Sequence, residues 1–272
     1  TTPASNKIVE CDGNGNLQEL QDWINDNGGA RGSDICSPVS WEPVKVNEVP
    51  GCDGAISSLT YNFKLLDECG NEDNTNATFI IQDTKEPIVP CNPDPKVHEC
   101  TGATDNETTA DAWNAANIAL IEACGLDACG NQNTVTSDYD YNDLSGDCGS
   151  TGTIIVTYTL EDACGFTTSK TATFTIVDNT DPVISCDPLD QVYECDGIEN
   201  NESAADAWNA TNIAALEACS SDACTSVTVT SNYSFGDLSD ECASTGSIQV
   251  TYSIEDECDH VVTRTATFTV ED

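Results

Sequence analysis

The stretch that decides the fold is VTYTLEDACG at residues 156–165, because related phrases occur at residues 59–70 (LTYNFKLLDECG) and 250–258 (VTYSIEDEC). Each copy is followed by a second strand-like phrase, which reads TATFTIVD, NATFIIQD or TATFTVED. The three copies share one cysteine, at Cys164, Cys69 and Cys258. A fixed period of about 95 residues with matched cysteines predicts three copies of one module in tandem.

The period divides the chain into module 1 (residues 1–83), module 2 (84–178) and module 3 (179–272). We expect module 1 to be incomplete at its amino end. A unit of about 95 residues can bury a modest core by itself. A unit that is copied three times rarely builds a solitary active site, and such arrays usually serve length, reach and display.

The composition indicates a secreted chain. It has 272 residues with 16 cysteines and no methionine. So many cysteines predict disulfides in an oxidising compartment, and the lack of a CxxC pair argues against thioredoxin-like and zinc-ribbon modules. No signal-peptide pattern and no apolar run of membrane-spanning length occur. We therefore expect a fragment of a larger extracellular, cell-surface protein.

The formal charge of −40 is the other feature that limits function, since only eight residues are Lys or Arg. A surface this acidic repels nucleic acid and anionic lipid, so neither is an expected partner. The charge has two interpretations. It is a solubilising surface, or part of it gathers divalent cations.

Module 2 shows a helical pattern followed by a strand pattern. Residues 109–123 predict a helix that Thr108 and Asp111 would cap. The expected core face of this helix is Trp113, Ala116, Leu120 and Cys124.

Alternation with a period of two predicts strands at residues 133–139, 152–161 and 170–178, and residues 96–100 read as an extended segment. Short strands rich in Thr and Val favour a β-sandwich in which one helix replaces part of one sheet.

Expected strand directions suggest a disulfide pairing, if the modules lie in line. Cys100 and Cys148 would share the exit end of module 2, and cystine Cα atoms must lie within about 7 Å. Module 1 lacks counterparts of both Cys91 and Cys124, so these two are expected to pair. The full expected set is Cys100–Cys148, Cys91–Cys124, Cys129–Cys164, Cys11–Cys52, Cys36–Cys69, Cys195–Cys242, Cys186–Cys219 and Cys224–Cys258.

The phrases CGSTGTIIVTYTLEDACG (148–165) and TATFTIVDNTDPVISC (171–186) resemble the HYR-like (hyalin-repeat-like) modules of Bacteroidota. The resemblance covers all three copies. It implies a mostly β chain of three tandem immunoglobulin-like β-sandwich modules, each with one inserted α-helix and two or three disulfides. It also implies a role in giant secreted surface proteins, including gliding-type adhesins.

The main functional hypothesis is a structural segment of an extracellular stalk, filament or adhesin. Its partners would be other copies of the module in a longer chain, or chains of a homo-oligomeric fibre. One alternative is a module that binds a glycan or another cell-surface ligand, for which Trp41 and Phe235 are candidate aromatic contacts. Another is an accessory region of a secreted hydrolase. We expect no enzymatic activity, because the two histidines, His98 and His260, stand at non-equivalent positions.

One acidic cluster predicts Ca²⁺ between modules. The linker DNTDP at residues 178–182 is similar to the acidic, proline-ended linkers of cadherin-type arrays. Oxygen ligands from several chain segments are what Ca²⁺ requires. The candidate ligands are Asp83, Glu86, Asp127, Glu161 and Asp162 at the first junction, and Asp178, Asp181, Asp222, Glu255 and Asp256 at the second.

Overall fold

Each module folds into a four-stranded sheet and one α-helix. Module 1 contains β1 (Lys7–Glu10), α1 (Leu17–Asn25), β2 (Val39–Pro50), β3 (Ile56–Asp67) and β4 (Glu72–Gln82). Module 2 contains β5 (Lys96–Glu99), α2 (Ala103–Cys124), β6 (Thr134–Ser137), β7 (Gly152–Glu161) and β8 (Thr167–Val177). Module 3 contains β9 (Val183–Ile184), β10 (Gln191–Glu194), α3 (Ile198–Cys219), β11 (Ser220–Ser221), β12 (Val227–Ser231), β13 (Gly246–Asp256) and β14 (Val261–Glu271). Short 3₁₀ helices lie at Asn27–Gly29, Tyr141–Asp143 and Phe235–Asp237.

This computed structural model describes residues 1–52, 56–130, 133–239 and 245–272. The chain forms two compact units. The first comprises residues 1–94, 114–138 and 156–172, and the second residues 95–113, 139–155 and 173–272. Module 2 contributes to both units. In the part of the chain that is described, no helix has the length and apolar character needed to cross a membrane.

The three sheets share one topology. Their strand orders are β1-β4-β3-β2, β5-β8-β7-β6 and β10-β14-β13-β12. In each sheet the first strand lies parallel to the last one, as shown by the registers Lys7↔Phe79, Lys96↔Phe174 and Gln191↔Phe268. The last strand therefore separates the first strand from the third. The expected mostly β fold of three tandem repeats is confirmed.

An aromatic pair forms the centre of each core. The helix places one tryptophan on a phenylalanine of the last strand, with ring centroids 5.6, 5.3 and 5.4 Å apart in the pairs Trp23–Phe79, Trp113–Phe174 and Trp208–Phe268. All six rings are buried. Beside α3, β9 pairs with β11 in a small antiparallel sheet. The helix thus takes the place of part of a second sheet, as expected.

Helix α2 differs from the prediction in its start and in its buried face. It begins at Ala103 rather than at residue 109. Ala116, expected in the core, is exposed. The buried positions are Asn106, Ala110, Trp113, Asn117 and Ile121. Two of these five are asparagines, so apolar periodicity alone could not find this face.

Asn117 is buried because its amide satisfies the backbone of the entering segment. Its Oδ1 accepts a hydrogen bond from the Asp94 amide at 2.8 Å, and its Nδ2 donates to the Asp94 carbonyl at 3.1 Å. The same Nδ2 donates to the Tyr158 hydroxyl at 3.4 Å. Asn212 repeats these contacts in module 3, with Leu189 and Tyr252. A buried polar group with such partners ties the segment before the first strand to the helix.

Replacing this amide should destabilise module 2. In the Asn117→Ala variant the Asp94 amide loses the hydrogen bond to Asn117 Oδ1 and the Asp94 carbonyl loses the one from Asn117 Nδ2, and we expect the free energy of unfolding to fall by about 2 kcal/mol. The matched control is Ala116→Ser, one residue earlier on the exposed face, which should change it by less than about 0.5 kcal/mol. Urea unfolding followed by near-ultraviolet circular dichroism measures both. Equal stability of the two variants would contradict the assigned role of Asn117.

Candidate functional site at the module junctions

Two disulfides cross each junction between successive modules. The first junction contains Cys11–Cys129 and Cys52–Cys164, and the second contains Cys100–Cys224 and Cys148–Cys258. Their Cα atoms lie 5.2, 5.1, 5.9 and 5.4 Å apart. Each junction therefore has three covalent connections, namely the polypeptide linker and two disulfides.

This pairing corrects the one expected within modules. Cys100 follows β5 and Cys148 precedes β7, and β8 lies between these strands. Two strand spacings amount to about 9.6 Å, which exceeds the reach of a cystine, about 7 Å between Cα atoms. The same arrangement of strands separates Cys11 from Cys52. The predictions of Cys129–Cys164 and Cys224–Cys258 are also wrong, because each of these cysteines bonds to the preceding module.

Among the cysteines that the structure describes, two disulfides lie within modules. Cys91 bonds to Cys124 and Cys186 bonds to Cys219. This pairing was expected because module 1 lacks counterparts of both members of the pair. Each of these bonds fixes the segment that enters the module to the last residue of the helix. Modules 2 and 3 thus have one internal disulfide each among the described residues, rather than the two or three expected.

Three cysteines form no disulfide with any residue that the structure describes. They are Cys36, Cys69 and Cys195. The predicted Cys36–Cys69 bond is therefore absent, and both side chains are exposed. The predicted partner of Cys195 is Cys242, which lies outside the described residues.

An aspartate two residues earlier positions each cysteine at the entry end of a module. Its side chain accepts a hydrogen bond from the cysteine backbone amide at 2.7 to 3.2 Å. This Asx turn occurs in the pairs Asp34–Cys36, Asp67–Cys69, Asp127–Cys129, Asp162–Cys164, Asp222–Cys224 and Asp256–Cys258. The turn fixes the local backbone and so aims the sulfur.

Glycines on the exit end allow the two backbones to come close. Gly13 has φ +73°, and a Cβ at this position would lie 2.8 Å from the carbonyl oxygen of Ala128 in module 2. A Cβ at Gly102 would lie 3.6 Å from the carbonyl oxygen of Ala223 in module 3. At Gly13 both the φ angle and the space exclude a side chain.

Carboxylates converge at the first junction. Asp83 of the linker lies within 4.8 Å of Asp162, measured between side-chain ligand atoms. The Oδ2 atoms of both residues are inaccessible to solvent and have no hydrogen-bond partner among the described residues. Burial raises the pKa of Asp83, and the charges of Asp127 and Asp162 act in the same direction.

The second junction repeats the cluster with one difference. Asp178 takes the place of Asp83. Measured between side-chain ligand atoms, it lies within 4.8 Å of Asp256 in one candidate metal-binding group and within 4.8 Å of Asp222 in another. Here His260 Nδ1 lies 2.9 Å from Asp256 Oδ2. Burial raises the pKa of Asp256, but hydrogen bonds from His260 and from the Cys258 amide, together with the charge of His260, outweigh burial, so the pKa is lowered. The hydrogen bond to Asp256 in turn raises the pKa of His260.

The residue four positions after this aspartate decides whether its second oxygen has a partner. In module 1 Asn71 Nδ2 donates to Asp67 Oδ2 at 2.7 Å. In module 3 the equivalent residue is His260. In module 2 it is Phe166, which has no side-chain donor. The first junction therefore combines two buried carboxylate oxygens that have no hydrogen-bond partner among the described residues, an arrangement that is compatible with a bound cation.

The structure brings together only some of the ten predicted ligands. Those within candidate metal-binding groups are Asp83, Asp162, Asp178, Asp222 and Asp256. Asp127 acts on Asp83 through its charge alone. The others, Glu86, Glu161, Asp181 and Glu255, belong to no such group among the described residues.

Sequence reasoning missed the glutamates that end the first strands of modules 1 and 2. Glu10 Oε1 and Oε2 accept hydrogen bonds from the Thr84 amide and hydroxyl, both at 2.8 Å, and these bonds lower its pKa. In the second linker, Glu99 Oε1 and Oε2 accept hydrogen bonds from the Asn179 backbone amide at 2.7 Å and from its Nδ2 at 2.8 Å. The repeated Glu-Cys dipeptide was the available signal.

The two candidate aromatic contacts are not exposed. Trp41 and Phe235 are both half-buried and pack against the cores of modules 1 and 3. Neither forms the exposed aromatic cluster that a glycan site would need.

Comparisons with known proteins give likenesses of fold only. No family model and no curated protein matches the sequence. The human desmocollin-1 ectodomain is 8% identical and has a TM-score of 0.25, and the match covers 87% of this chain and 54% of that one. An I-band fragment of titin is 8% identical over 86% and 89%, with a TM-score of 0.30. The extracellular cadherin domains 1–5 of protocadherin gamma B2 are 9% identical over 98% and 58%, with a TM-score of 0.26.

Proposed function

We propose that this chain is a repeat segment of an extracellular stalk, filament or adhesin that acts in cell-surface attachment, motility or contact with other cells. The observation that carries the proposal is the pair of disulfides across each junction. Two disulfides in addition to the linker restrict the rotation of one module relative to the next. The resemblance to HYR-like modules and the disulfide-rich composition agree with a secreted surface protein.

The disulfides also set how far the chain can extend under tension. The shortest covalent path from Thr1 to Asp272 leaves the backbone at Cys11, re-enters at Cys129, leaves at Cys148 and re-enters at Cys258. This path contains about 46 residues, or about 160 Å at about 3.5 Å per residue. The residues between these points lie outside the tensioned path. Such a segment transmits load without unravelling.

Pulling the chain by its two ends should reveal this path. We expect the oxidised chain to extend to about 160 Å, and the reduced chain to about 950 Å. Pairing within modules would instead give about 350 Å. Single-molecule force spectroscopy with handles at both termini measures the three lengths.

Two disulfide variants serve as matched controls in this measurement. Cys91→Ser with Cys124→Ser removes a bond that is not on the path and should leave the extension unchanged. Cys148→Ser with Cys258→Ser removes one that is on it and should lengthen the extension to about 270 Å. An oxidised chain that extends like the reduced one would contradict a role in transmitting load.

We also propose that Ca²⁺ binds at the junctions and stiffens them, with the first junction as the stronger site. Asp83 and Asp162 supply the unpartnered oxygens there, and Asp127 adds a third negative charge. Ca²⁺ takes six to eight oxygen ligands, so water would complete the shell. At the second junction the donors are Asp178, Asp222 and Asp256.

Substituting Asp83 should shift the melting temperature in opposite directions with chelator and with saturating Ca²⁺. With chelator at low ionic strength, Asp83→Asn removes one of several like charges and should raise the melting temperature. With saturating Ca²⁺ it removes a ligand and should lower the melting temperature relative to the unsubstituted chain. At 100 times the dissociation constant the bound ion would contribute about 2.7 kcal/mol. Scanning calorimetry of both proteins in both buffers measures this.

The matched control is Glu86→Gln, which removes the same charge from an exposed position of the same linker. This substitution should change the melting temperature little in either buffer. Phe166→Asn should give Asp162 the donor that Asn71 gives Asp67, and should weaken the response to Ca²⁺. An equal response of the Asp83→Asn variant and the unsubstituted chain would rule out the site.

We propose further that the chain has no intrinsic enzymatic activity. Its prominent motifs recur from module to module, and His260 is engaged with Asp256. A hydrolase screen on the purified chain should show no turnover. Turnover that one carboxylate substitution abolishes would overturn this expectation.

A further inference from the structure

One candidate metal-binding group at the second junction contains a nitrogen donor. In this group, ligand atoms of Asp178, Asp256 and His260 all lie within 4.8 Å of one another. The other such groups among the described residues offer only carboxylate oxygens and cysteine sulfurs. Those sulfurs belong to the junction disulfides, so they are not thiolates that could bind a metal. The two junctions therefore differ in the chemistry of their available donors.

Asp256 is held in a fixed position beside His260. The Asp256 side chain is fully buried. Its Oδ1 accepts hydrogen bonds from the backbone amides of Cys258 and His260 at 2.7 and 3.0 Å. Its Oδ2 lies 2.9 Å from His260 Nδ1. Two of the three donors are thus adjacent before any ion binds.

Asp178 brings the third donor from the linker. Its Oδ1 accepts hydrogen bonds from the Thr180 amide at 3.1 Å and from the Thr180 hydroxyl at 2.9 Å, and these bonds orient the carboxylate. Its Oδ2 is inaccessible to solvent and has no hydrogen-bond partner among the described residues. Burying a charged oxygen without a partner is costly. The Asp178 carboxylate therefore has an oxygen that a cation in this cluster would satisfy.

The spacing of the donors fits a small dication. Zn²⁺ binds imidazole nitrogen and carboxylate oxygen at about 2.1 Å, which places two such donors about 3.4 Å apart in a tetrahedral shell. The facing atoms of Asp256 and His260, at 2.9 Å, need to separate by only about 0.5 Å to reach this distance. Asp178 lies close enough to supply the third ligand, and water completes the shell.

The imidazole nitrogen determines the class of metal. Imidazole suits Zn²⁺ and the neighbouring transition-metal ions, whereas Ca²⁺ takes six to eight oxygen ligands. Phe166 stands at the position equivalent to His260 in the first junction, which therefore has no nitrogen donor of this kind. We propose that the second junction binds a divalent metal ion of the Zn²⁺ class through Asp178, Asp256 and His260.

The bound ion connects two modules. Asp178 follows β8 of module 2, whereas Asp256 and His260 lie at the turn between β13 and β14 of module 3. The metal takes the place of the proton on His260 Nδ1, and this proton leaves to solvent. The two junctions then respond to different cations. This inference deepens the proposed role of cations at the junctions and rests on it.

The two histidines of the chain allow the site to be observed by NMR spectroscopy of the imidazole nitrogens. His98 belongs to no candidate metal-binding group among the described residues and serves as an internal reference. We expect stoichiometric Zn²⁺, added to the oxidised chain in excess Ca²⁺, to shift the Nδ1 resonance of His260 and to leave His98 unchanged. The excess Ca²⁺ occupies the all-carboxylate sites and so suppresses weak binding of Zn²⁺ there. Ca²⁺ alone should not produce this shift, because it gains no bond to nitrogen.

The matched variant is His260→Asn. Asn71 stands at the equivalent position in module 1 and donates to Asp67 Oδ2 at 2.7 Å, so asparagine can keep the hydrogen bond to Asp256 while it removes the imidazole. Isothermal titration calorimetry in excess Ca²⁺ should show an affinity for Zn²⁺ that is at least about tenfold weaker in this variant. The variant should also lose the rise in melting temperature that Zn²⁺ gives the unsubstituted chain.

Three results would overturn the proposal. They are Zn²⁺ that shifts neither histidine, Zn²⁺ that shifts His98 and His260 alike, and a His260→Asn variant that binds Zn²⁺ as tightly as the unsubstituted chain. Failure here is distinguishable from failure of the Ca²⁺ proposal at the first junction. The response of the Asp83→Asn variant to Ca²⁺ does not involve His260, so each experiment can fail while the other succeeds.

Discussion

The reach of a disulfide is the constraint on which the junctions depend. A cystine spans about 7 Å between Cα atoms, whereas two strand spacings amount to about 9.6 Å. In module 2 the strand β8 lies between β5 and β7, so the cysteines that end one and precede the other cannot meet. Both lie where the next module begins, and both bond to it. The parallel pairing of a four-residue strand thus determines how the modules are joined.

The aspartates at the junctions have two effects that follow from one side chain. One oxygen accepts the amide of the cysteine two residues later and positions the sulfur. The other oxygen takes no part in that hydrogen bond and needs a partner of its own. Asn71 and His260 supply it in modules 1 and 3, whereas Phe166 does not in module 2. The same aspartate therefore affects both the position of the cysteine sulfur and the charge at the junction.

Much of the fold could be predicted from the sequence, because the repeat is carried by residues with clear patterns. Strand β7 was predicted with its observed bounds, since strict alternation continues over residues 152–161. The buried face of α2 was not, because Asn106 and Asn117 are polar residues that backbone contacts make acceptable in the core. Strand β5 lies within the segment 96–100 that was predicted to be extended, but its four residues carry no signal for the parallel pairing with β8.

The candidate site was predicted less completely for a related reason. Placement of the cysteines at the entry or exit end of each module was sound, but the partner of each could not be chosen without knowing that β5 pairs with β8. Asp83 and Asp178 were found because they end a repeated strand. The residue four positions after the aspartate differs between copies, and only the structure shows that His260 contacts Asp256 whereas Phe166 gives Asp162 no side-chain donor.

Disulfide mapping of the oxidised chain by mass spectrometry, after alkylation of free thiols and cleavage at acidic residues, tests the central claim most directly. The account predicts peptide pairs that join Cys11 to Cys129, Cys52 to Cys164, Cys100 to Cys224 and Cys148 to Cys258. Recovery of Cys100 joined to Cys148, or of Cys129 joined to Cys164, would contradict it.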